Sequence, residues 1–278
     1  MTEGAPAIGI IGGSGLYELE GLEDTRWVAV DSPFGRPSDE FLTGRLAGQR
    51  LVFLPRHGRR HDLSPSEINY RANIDALKRL GVTEVISLSA VGSLKAELEP
   101  GRFVIIDQFI DRTFARAKSF FGKGLVAHVS MAKPTCARLG QRLARSAESL
   151  GIPSAQGGVY LAMEGPQFST LAESELYRSW GCDVIGMTNM PEAKLAREAE
   201  LCYAVVAMVT DYDCWHDEHD DVSVASVIQV LKENAEKARA LVKEAAAGFE
   251  SRACAEGCHT SLEHAVITPP EARDPEMV

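Results

Sequence analysis

One apolar run stands out in the hydrophobic pattern of the chain, from Tyr203 to Met208, and it ends abruptly at Thr210-Asp211-Tyr212-Asp213. A run without polar alternation needs cover on both of its faces, which is typical of a central parallel strand. Other apolar runs of strand length predict strands at 7–11, 49–54, 82–89, 103–110, 158–163 and 183–187. The chain is therefore expected to build a sheet around the strand that ends at Asp211.

Helical patterns separate many of these strands. Apolar residues at helical spacing predict helices at 64–81, at 134–150, from 191 onward and at 221–247. In the first of these, Ser64 is the candidate N-cap, Pro65 the first helical residue and Glu67 the partner in a capping box. Because strands alternate with helices, the sequence predicts an α/β fold with a largely parallel sheet that helices cover.

Length and composition fit one globular unit. The chain has 278 residues, of which 45% are hydrophobic and 24% charged, and no Pro-, Gly- or Ser-rich linker interrupts residues 8–248. We therefore expect a single domain over 1–278, with its core at about 8–248 and a C-terminal tail at 249–278.

The charge balance narrows the choice of partners. A net charge of −10 argues against nucleic acid or an anionic membrane as the main partner, because phosphate-bearing surfaces select basic proteins. A small anion in a local basic pocket remains compatible with it. The sequence has no apolar run of membrane-spanning length and no basic segment at its start that would indicate export, so we expect a cytoplasmic protein.

The six cysteines are scattered along the chain, and most fall in expected core elements. Buried free thiols in a reducing cytosol are their expected state. Cys254 and Cys258 lie in the weakly periodic tail, where a disulfide between them stays open as an alternative. His216 and His219 have the spacing of one helical turn but no further clustered ligand, so the sequence predicts no metal site.

Side chains with binding chemistry follow the first two strands. Gly12-Gly13-Ser14-Gly15 follows the first, and glycines there let backbone N–H groups approach an anion closely. Arg56-His57-Gly58-Arg59-Arg60-His61 follows the second, and arginine favours bidentate contacts with phosphate or carboxylate oxygens. Each has a plain alternative, which is a tight turn for the glycines and a solvated loop for the basic segment.

The later strand ends carry hydroxyl, aromatic and acidic residues: Ser89 and Ala90, Phe168, Met187 and Thr188, and Asp211 and Asp213. Because ligands bind at the carboxyl ends of the strands in open α/β sheets, these residues are expected to share one pocket. Cations and hydroxyls would hold an anion at one side, and carboxylates would meet a flat, nitrogen-bearing ring at the other. The alternative for the two aspartates is an Asx-turn in a loop.

Taken together, these motifs resemble the purine nucleoside phosphorylase family, in the trimeric branch that acts on 5′-methylthioadenosine. The resemblance is carried in order over about residues 8–245 by IGIIGGSGL, SPFGRPS, PRHG, NYRANIDALK, VIIDQFIDRT, EGPQFST, GMTNMPEA and VTDYDCW. It implies a twisted mixed sheet, partly barrel-like, flanked by helices. It also implies cleavage of the N-glycosidic bond by inorganic phosphate as co-substrate, without metal or other cofactor, in a trimer or a dimer of trimers.

The same resemblance implies roles for the candidate residues. Phosphate would be held by Ser14, Arg56, His57, Ser89 and Thr188. Ribose would lie against Met187 and the Ala90 backbone, and Phe168 would pack on the base or the sugar. Ser169, Val224 and Val227 are candidate specificity residues, with the two valines as an apolar wall for a methylthio group or, alternatively, as ordinary core.

Asp211 and Asp213 would have different functions at the purine edge. Asp211 is the candidate general acid that protonates the departing purine near N7, and Asp213 would accept a hydrogen bond from the 6-amino group of adenine. The 6-oxopurine enzymes of the family typically carry asparagine at the position of Asp211, so aspartate favours adenine. A broader purine nucleoside phosphorylase, a methylthioinosine phosphorylase, a non-catalytic nucleoside-binding protein and a hydrolase remain competing hypotheses.

Overall fold

The computed structural model describes residues 6–13, 19–216, 224–249 and 254–275, with the backbone alone at 224–229. Its strands are β1 (Ala7–Gly12), β2 (Glu23–Val28), β3 (Phe41–Leu46), β4 (Gln49–Pro55), β5 (Val82–Ser93), β6 (Phe103–Ile106), β7 (Gln108–Asp111), β8 (Ser154–Gln156), β9 (Val159–Ala162), β10 (Val184–Gly186) and β11 (Cys202–Asp211). Its helices are α1 (Tyr70–Arg79), α2 (Ala137–Ser149), α3 (Leu171–Ser179), α4 (Asn189–Glu198) and α5 (Val224–Ala246). None of these described helices combines the length and the apolarity that crossing a bilayer requires.

Strands β5 and β11 form the centre of the sheet and run parallel to each other. On the other edge of β5 lies β1, which also pairs with β4, and both pairings are parallel. Antiparallel pairings add β6 beside β11, β10 at the end of β5, and the β2–β3 edge beside β4. The parallel strands β8, β9 and β7 complete the sheet. The predicted α/β class with a mixed, largely parallel sheet is confirmed.

Helices cover both faces of this sheet, as the unbroken apolar run in β11 requires. Tyr203, Val205 and Ala207 enter one hydrophobic cluster, together with apolar residues of α1 and α4. The alternate residues Ala204 and Val206 enter a second cluster, together with residues of α2 and α5. Side chains of a strand point alternately to opposite faces, so a strand buried on both sides has no polar position. The prediction of a central buried strand is confirmed.

The predicted start of the first helix is wrong. Helix α1 begins at Tyr70, and its N-cap is Asn69, whose side chain accepts a hydrogen bond from the Ala72 N–H. Ser64 and Glu67 form a turn instead, in which the Ser64 N–H donates to the Glu67 carboxylate and the Glu67 N–H donates to the Ser64 carbonyl. The capping signals are therefore satisfied locally, five residues before the helix that they were expected to open.

Several elements differ from the sequence prediction because they carry little periodic signal. The expected strand at 103–110 is divided into β6 and β7. Strands β2, β3 and β8 and helix α3 were not predicted. In β2 four of the six residues are exposed and the other two are half-buried, so this edge strand has no apolar run to reveal it.

Candidate active site

A cavity of about 640 Å³ opens where the carboxyl ends of β4, β5, β10 and β11 come together. Of the candidate residues, those that line it are Arg56, His57, Ser89, Ala90, Phe168, Met187, Thr188, Asp211 and Asp213. The fold therefore brings side chains from separate strand ends to one place, as the sequence predicts for an α/β sheet.

Three hydroxyl groups meet at one end of this cavity, which we call the hydroxyl end (Ser89, Thr188 and Tyr160). Ser89 Oγ lies 3.4 Å from Thr188 Oγ1 and 3.3 Å from the Tyr160 hydroxyl. Ser89 and Thr188 line the cavity, and Tyr160 is fully buried behind them. Sequence reasoning missed Tyr160, because an aromatic residue within an apolar strand looks like ordinary core. Hydroxyl groups can each turn a donor toward an anion.

His57 lies beside the hydroxyl end in its neutral form. Its Nδ1 is 2.8 Å from the Leu63 carbonyl oxygen, so Nδ1 carries the proton and donates, and Nε2 carries none. The ring stacks on His61 at a centroid distance of 4.4 Å. Burial lowers the pKa of His57 to about 4; the bond to Leu63 opposes this shift, and the Arg56 charge adds to it.

Because of this low pKa, stability is expected to fall as the pH is lowered from about 6.5 toward 4. In this window the unfolded chain protonates His57 while the folded protein keeps it neutral, so the unfolded state binds more protons and acid favours unfolding. The pKa difference corresponds to at most about 3 kcal/mol. Urea unfolding at pH 7 and at pH 4.5 measures the loss, which should be smaller in His57→Asn. An identical loss in both proteins would contradict this assignment.

Arg56 is buried and engaged by protein groups. Its Nε and Nη2 donate to the two Glu192 carboxylate oxygens at 2.9 and 3.2 Å, Nη2 donates to Ser87 Oγ at 2.5 Å, and Nη1 donates to the Leu88 carbonyl at 3.2 Å. Burial alone would lower the pKa of Arg56, but the Glu192 carboxylate outweighs burial and holds it above its ordinary value. Since a guanidinium has five N–H groups, one Nη1 donor remains for an anion.

Glu192 links Arg56 to a buried polar network under the cavity. Glu192 Oε1 also accepts from Ser87 Oγ at 2.6 Å and from the Tyr203 hydroxyl at 2.7 Å. Asn189 Nδ2 donates to Ser87 Oγ at 2.9 Å and to the Tyr203 hydroxyl at 2.8 Å. Such a network holds its members in place, because moving one of them breaks hydrogen bonds that water cannot replace. Glu192 carries no local signal in the sequence and stands 136 residues from Arg56.

A second part of the cavity, which we call the carboxylate end, contains Asp211 and Asp213. It is separated from the hydroxyl end along the central strands, because Ser89 pairs with Ala207 whereas Gly92 pairs with Asp211. Asp211 Oδ1 accepts from the Asp213 N–H at 2.9 Å, and Asp213 has a φ of 53°, so the Asx-turn alternative is correct as local geometry. Asp211 Oδ2 accepts from Thr210 Oγ1 at 2.7 Å. The turn also places both carboxylates against the cavity. The two interpretations of this motif are therefore compatible.

Both carboxyl groups of this end are largely desolvated. Burial raises the pKa of Asp211 and that of Asp213. Asp213 Oδ2 is buried and has no hydrogen-bond partner of ordinary geometry among the described residues, although the Ser174 and Ser169 hydroxyls and the Cys214 N–H lie near this carboxyl group and lower its pKa against the effect of burial. A buried acceptor without a donor is costly, so this oxygen is suited to a ligand that brings a donor.

Gly92 allows the backbone of β5 to approach this end closely. A Cβ atom at Gly92 would lie 3.0 Å from Asp211 Oδ1, 3.1 Å from Ile185 Cγ2 and 3.3 Å from Asp213 Cβ. These contacts are tighter than ordinary packing allows, so a larger residue would displace the carboxylates or Ile185.

The wall between the two ends contains Met187 and Phe168. Arg116 fixes the chain around Met187, since its Nη1 donates to the carbonyls of Met187 and Met190 at 2.5 and 2.7 Å and its Nη2 donates to the Glu164 carbonyl at 2.7 Å. Phe168 is 49% exposed, so its ring is available at the mouth of the cavity. Sequence reasoning also missed Arg116, because its partners are backbone atoms distant along the chain.

The remaining candidate residues have different outcomes. Ser14 and the side chains of Val224 and Val227 lie outside the described residues. Ser169 does not line the cavity, although its hydroxyl lies 3.7 Å from the sulfur of Met163, which does. The segment expected to start the first helix also supplies lining residues, and α5 supplies two apolar ones: Ser64, Pro65, Glu67, Leu231 and Ala235.

Comparison with known proteins agrees with this geometry. A family model described as the phosphorylase superfamily matches residues 7–247. The S-methyl-5'-thioadenosine phosphorylase of Rhodospirillum rubrum is 64% identical, over 98% of this chain and 93% of that protein. The protein of the same name from Cereibacter sphaeroides is 62% identical, over 98% of this chain and 94% of that protein.

Solved structures give the same result for the fold. A methylthioadenosine phosphorylase sourced from an Antarctic soil metagenomic library superposes with a TM-score of 0.93 at 48% identity and covers 98% of this chain and 96% of its own. Methylthioadenosine phosphorylase from Schistosoma mansoni in complex with adenine superposes with a TM-score of 0.85 at 34% identity, over 97% and 99% of the two chains.

Proposed function

The chain belongs to the phosphorylase superfamily, and we propose that it is a pentosyltransferase that cleaves 5′-methylthioadenosine with inorganic phosphate. The products are adenine and 5-methylthioribose 1-phosphate, which enter purine and methionine salvage. Relatives named for this activity match 98% of the chain.

The observation that carries this proposal is the chemical division of the cavity. Hydroxyls, a histidine and an arginine lie at one end, and two desolvated carboxyl groups lie at the other. Phosphate requires hydrogen-bond donors, whereas adenine presents an amino donor and a ring nitrogen that becomes basic when the glycosidic bond breaks. One cavity with these two ends suits both substrates at once.

At the hydroxyl end, phosphate is bound by Ser89, Thr188 and the remaining Nη1 donor of Arg56. His57 Nε2 carries no proton, so it accepts a hydrogen bond from the O–H group of a monoprotonated phosphate. The family resemblance also assigns Ser14 to this group. Phosphate fixed here attacks C1′ as an oriented nucleophile, which replaces a bimolecular encounter by an intramolecular one.

At the carboxylate end, Asp211 is the general acid. As the C1′–N9 bond breaks, its electron pair moves to the purine, and Asp211 donates its proton to N7. The new bond joins a phosphate oxygen to C1′, so adenine leaves neutral and Asp211 regains a proton from solvent. These steps balance with inorganic phosphate as the co-substrate, and we propose that the reaction uses no metal and no nucleotide cofactor.

Asp213 determines the selectivity for adenine over 6-oxopurines. Its unpartnered Oδ2 accepts a hydrogen bond from the 6-amino group of adenine, whereas the 6-oxo group of hypoxanthine or guanine would place two acceptors against each other. A site built to pair one group rejects an analogue that leaves its polar atom unpaired. Apolar residues of α5, including Leu231 and Ala235, border the same cavity and suit the methylthio group at the 5′ end.

The experiment that tests this function measures product formation from 5′-methylthioadenosine, adenosine and inosine, each with and without phosphate. Release of adenine from the first substrate only when phosphate is present, with 5-methylthioribose 1-phosphate as the second product, supports the proposal. Turnover without phosphate would identify a hydrolase. A higher kcat/KM for inosine would identify a 6-oxopurine enzyme, and binding without turnover would identify a nucleoside-binding protein.

We further propose that the protein works in the cytoplasm as a homo-oligomer, a trimer or a dimer of trimers. Large apolar side chains on and beside α3 support an interface between subunits, since Leu171, Leu176 and Trp180 are each more than 40% exposed. Exposed apolar groups that cluster on one element commonly mark an interaction surface. Light scattering of the purified protein measures the number of subunits.

A further inference from the structure

Four of the six cysteines converge far from the cavity. Cys136 is the N-cap residue of α2, Cys202 is the first residue of β11, and Cys254 and Cys258 belong to the C-terminal segment. Their four sulfur atoms all lie within 4.8 Å of one another. Cys136, Cys202 and Cys258 are buried, and Cys254 is half-buried. They are 52 to 122 positions apart along the chain, apart from the tail pair, so the sequence alone did not reveal the cluster.

We propose that these four sulfurs bind one Zn²⁺ ion as a closed structural site. Tetrahedral zinc has Zn–S bonds of about 2.3 Å, which places its sulfur ligands about 3.8 Å from each other. Cys136 Sγ and Cys254 Sγ are 3.6 Å apart, and the other pairs fall within the 4.8 Å limit. The spacing of Cys254 and Cys258 lies within the usual range for two ligands from one short segment.

The geometry favours an ion over disulfide bonds. A disulfide requires an S–S distance of about 2.05 Å, and all six cysteines are free. Two disulfides would draw the sulfurs together in two close pairs, whereas here all four approach one common centre. Thiolate sulfur is the preferred donor for zinc and a poor one for Mg²⁺ or Ca²⁺. With four protein ligands the site is closed, which is typical of a structural ion and not of a catalytic one.

Neighbouring groups fit the negative charge that four thiolates and one divalent ion would carry. Arg138 Nη2 lies 3.6 Å from Cys202 Sγ, and His259 Nε2 lies 3.4 Å from the same sulfur. Arg138 is itself held by the Glu84 carboxylate. Cys136 stands at the N-terminus of α2, where the helix dipole stabilises a thiolate. Outer groups of this kind orient metal ligands.

The site would fasten the C-terminal segment to the body of the protein. After Cys258 the chain bonds to distant parts of the fold, as Ser261 Oγ donates to the Arg197 carbonyl at 2.6 Å and the His128 N–H donates to the Ala265 carbonyl at 2.8 Å. Cys202 and Asp211 stand at opposite ends of β11, about 30 Å apart at the usual rise of a strand. The ion therefore serves the fold and takes no part in the reaction.

Metal analysis of the full-length protein tests this proposal. The protein is purified under reducing conditions without a metal-affinity step. The zinc content per chain is measured by inductively coupled plasma mass spectrometry. We expect about one equivalent, with the release of protons from the thiols on binding. Cys254→Ser and Cys258→Ser should each retain about one tenth of this or less. Cys182→Ala, a buried cysteine outside the cluster, should retain the full equivalent.

A second measurement keeps the test decisive if the serine variants do not fold. Wild-type protein is stripped of metal and reconstituted with Co²⁺, and tetrahedral sulfur coordination should give its characteristic intense visible bands and thiolate charge-transfer absorption. The proposal is overturned if the wild-type protein contains no zinc and takes up no cobalt. It is equally overturned if the intact mass of the wild-type protein is four hydrogens below the mass of the fully reduced chain, which would show two disulfide bridges.

Discussion

Replacing Asp211 with asparagine is expected to lower kcat for 5′-methylthioadenosine by about 10²–10⁴-fold, the usual range for lost general acid catalysis. Asparagine preserves the shape of the side chain and the acceptor for the Asp213 N–H, but it has no carboxyl proton for N7. The loss should appear in kcat with little change in KM, because the interaction exists only in the transition state. Steady-state kinetics with saturating phosphate measure both constants.

The matched control for this variant is Asp213→Asn, which changes the neighbouring carboxyl group in the same way. It should have a smaller effect on kcat but should weaken the preference for adenosine over inosine, since its proposed partner is the 6-amino group. If both variants kept wild-type turnover and the same base preference, the two aspartates would form only the structural turn. The activity of Asp211→Asn on inosine relative to adenosine should rise. The asparagine amide can donate a hydrogen bond to the unprotonated N7 of a 6-oxopurine.

Where its signal is local, the sequence predicted residues that line the cavity. An unbroken apolar run in the sequence indicates a buried parallel strand. Polar groups at the carboxyl end of such a strand face the crevice where ligands bind. Asp211 ends β11 and Thr188 closely follows β10, whereas Ser89 lies inside β5, four residues before the end of that strand; all three line the cavity. Their convergence follows from the parallel direction of the strands that carry them.

What the sequence did not reveal depends on contacts between distant residues. Glu192 has no local feature that separates it from the surface acids of other helices, yet it is 2% exposed and bonded to Arg56. The cluster of cysteines is hidden for the same reason, since its members come from two elements and the tail. Exposed edge strands such as β2 lack apolar periodicity altogether, and their position comes from pairing with a neighbour.

The prediction for the first helix failed for a different physical reason. Ser64 and Glu67 make one half of a capping box within a turn: the Ser64 N–H donates to the Glu67 carboxylate, but the Glu67 N–H donates to the Ser64 carbonyl and not to its hydroxyl. Asn69 then caps α1. A capping pattern reports only that a backbone N–H is satisfied locally, and both a turn and a helix start meet that requirement.

Arg56→Ala is expected to reduce both the stability of the fold and the affinity for phosphate. Glu192 would be left buried without its cation, and breaking one partner of a buried ion pair costs about 3–5 kcal/mol. Loss of a charge-assisted hydrogen bond to phosphate, about 1.5–3 kcal/mol, should raise the KM for phosphate by about 10- to 150-fold. Arg59→Ala, in the same basic segment but in a more exposed pair with Asp39, should cost at most about 1 kcal/mol.

The two effects of Arg56 can be separated by removing Glu192 as well. In the double variant Arg56→Met/Glu192→Leu, no buried charge remains unpaired, and replacing a buried pair with apolar residues is often neutral for stability. The Ser87 and Tyr203 hydroxyls lose their Glu192 acceptor in this variant, so the free energy of unfolding from urea titration should recover only part of the loss seen in Arg56→Ala. The KM for phosphate should stay high, because neither new side chain can donate to the anion. If the KM for phosphate returned to the wild-type value together with stability, Arg56 would serve only to neutralise Glu192, and phosphate would be bound by the hydroxyl end without it.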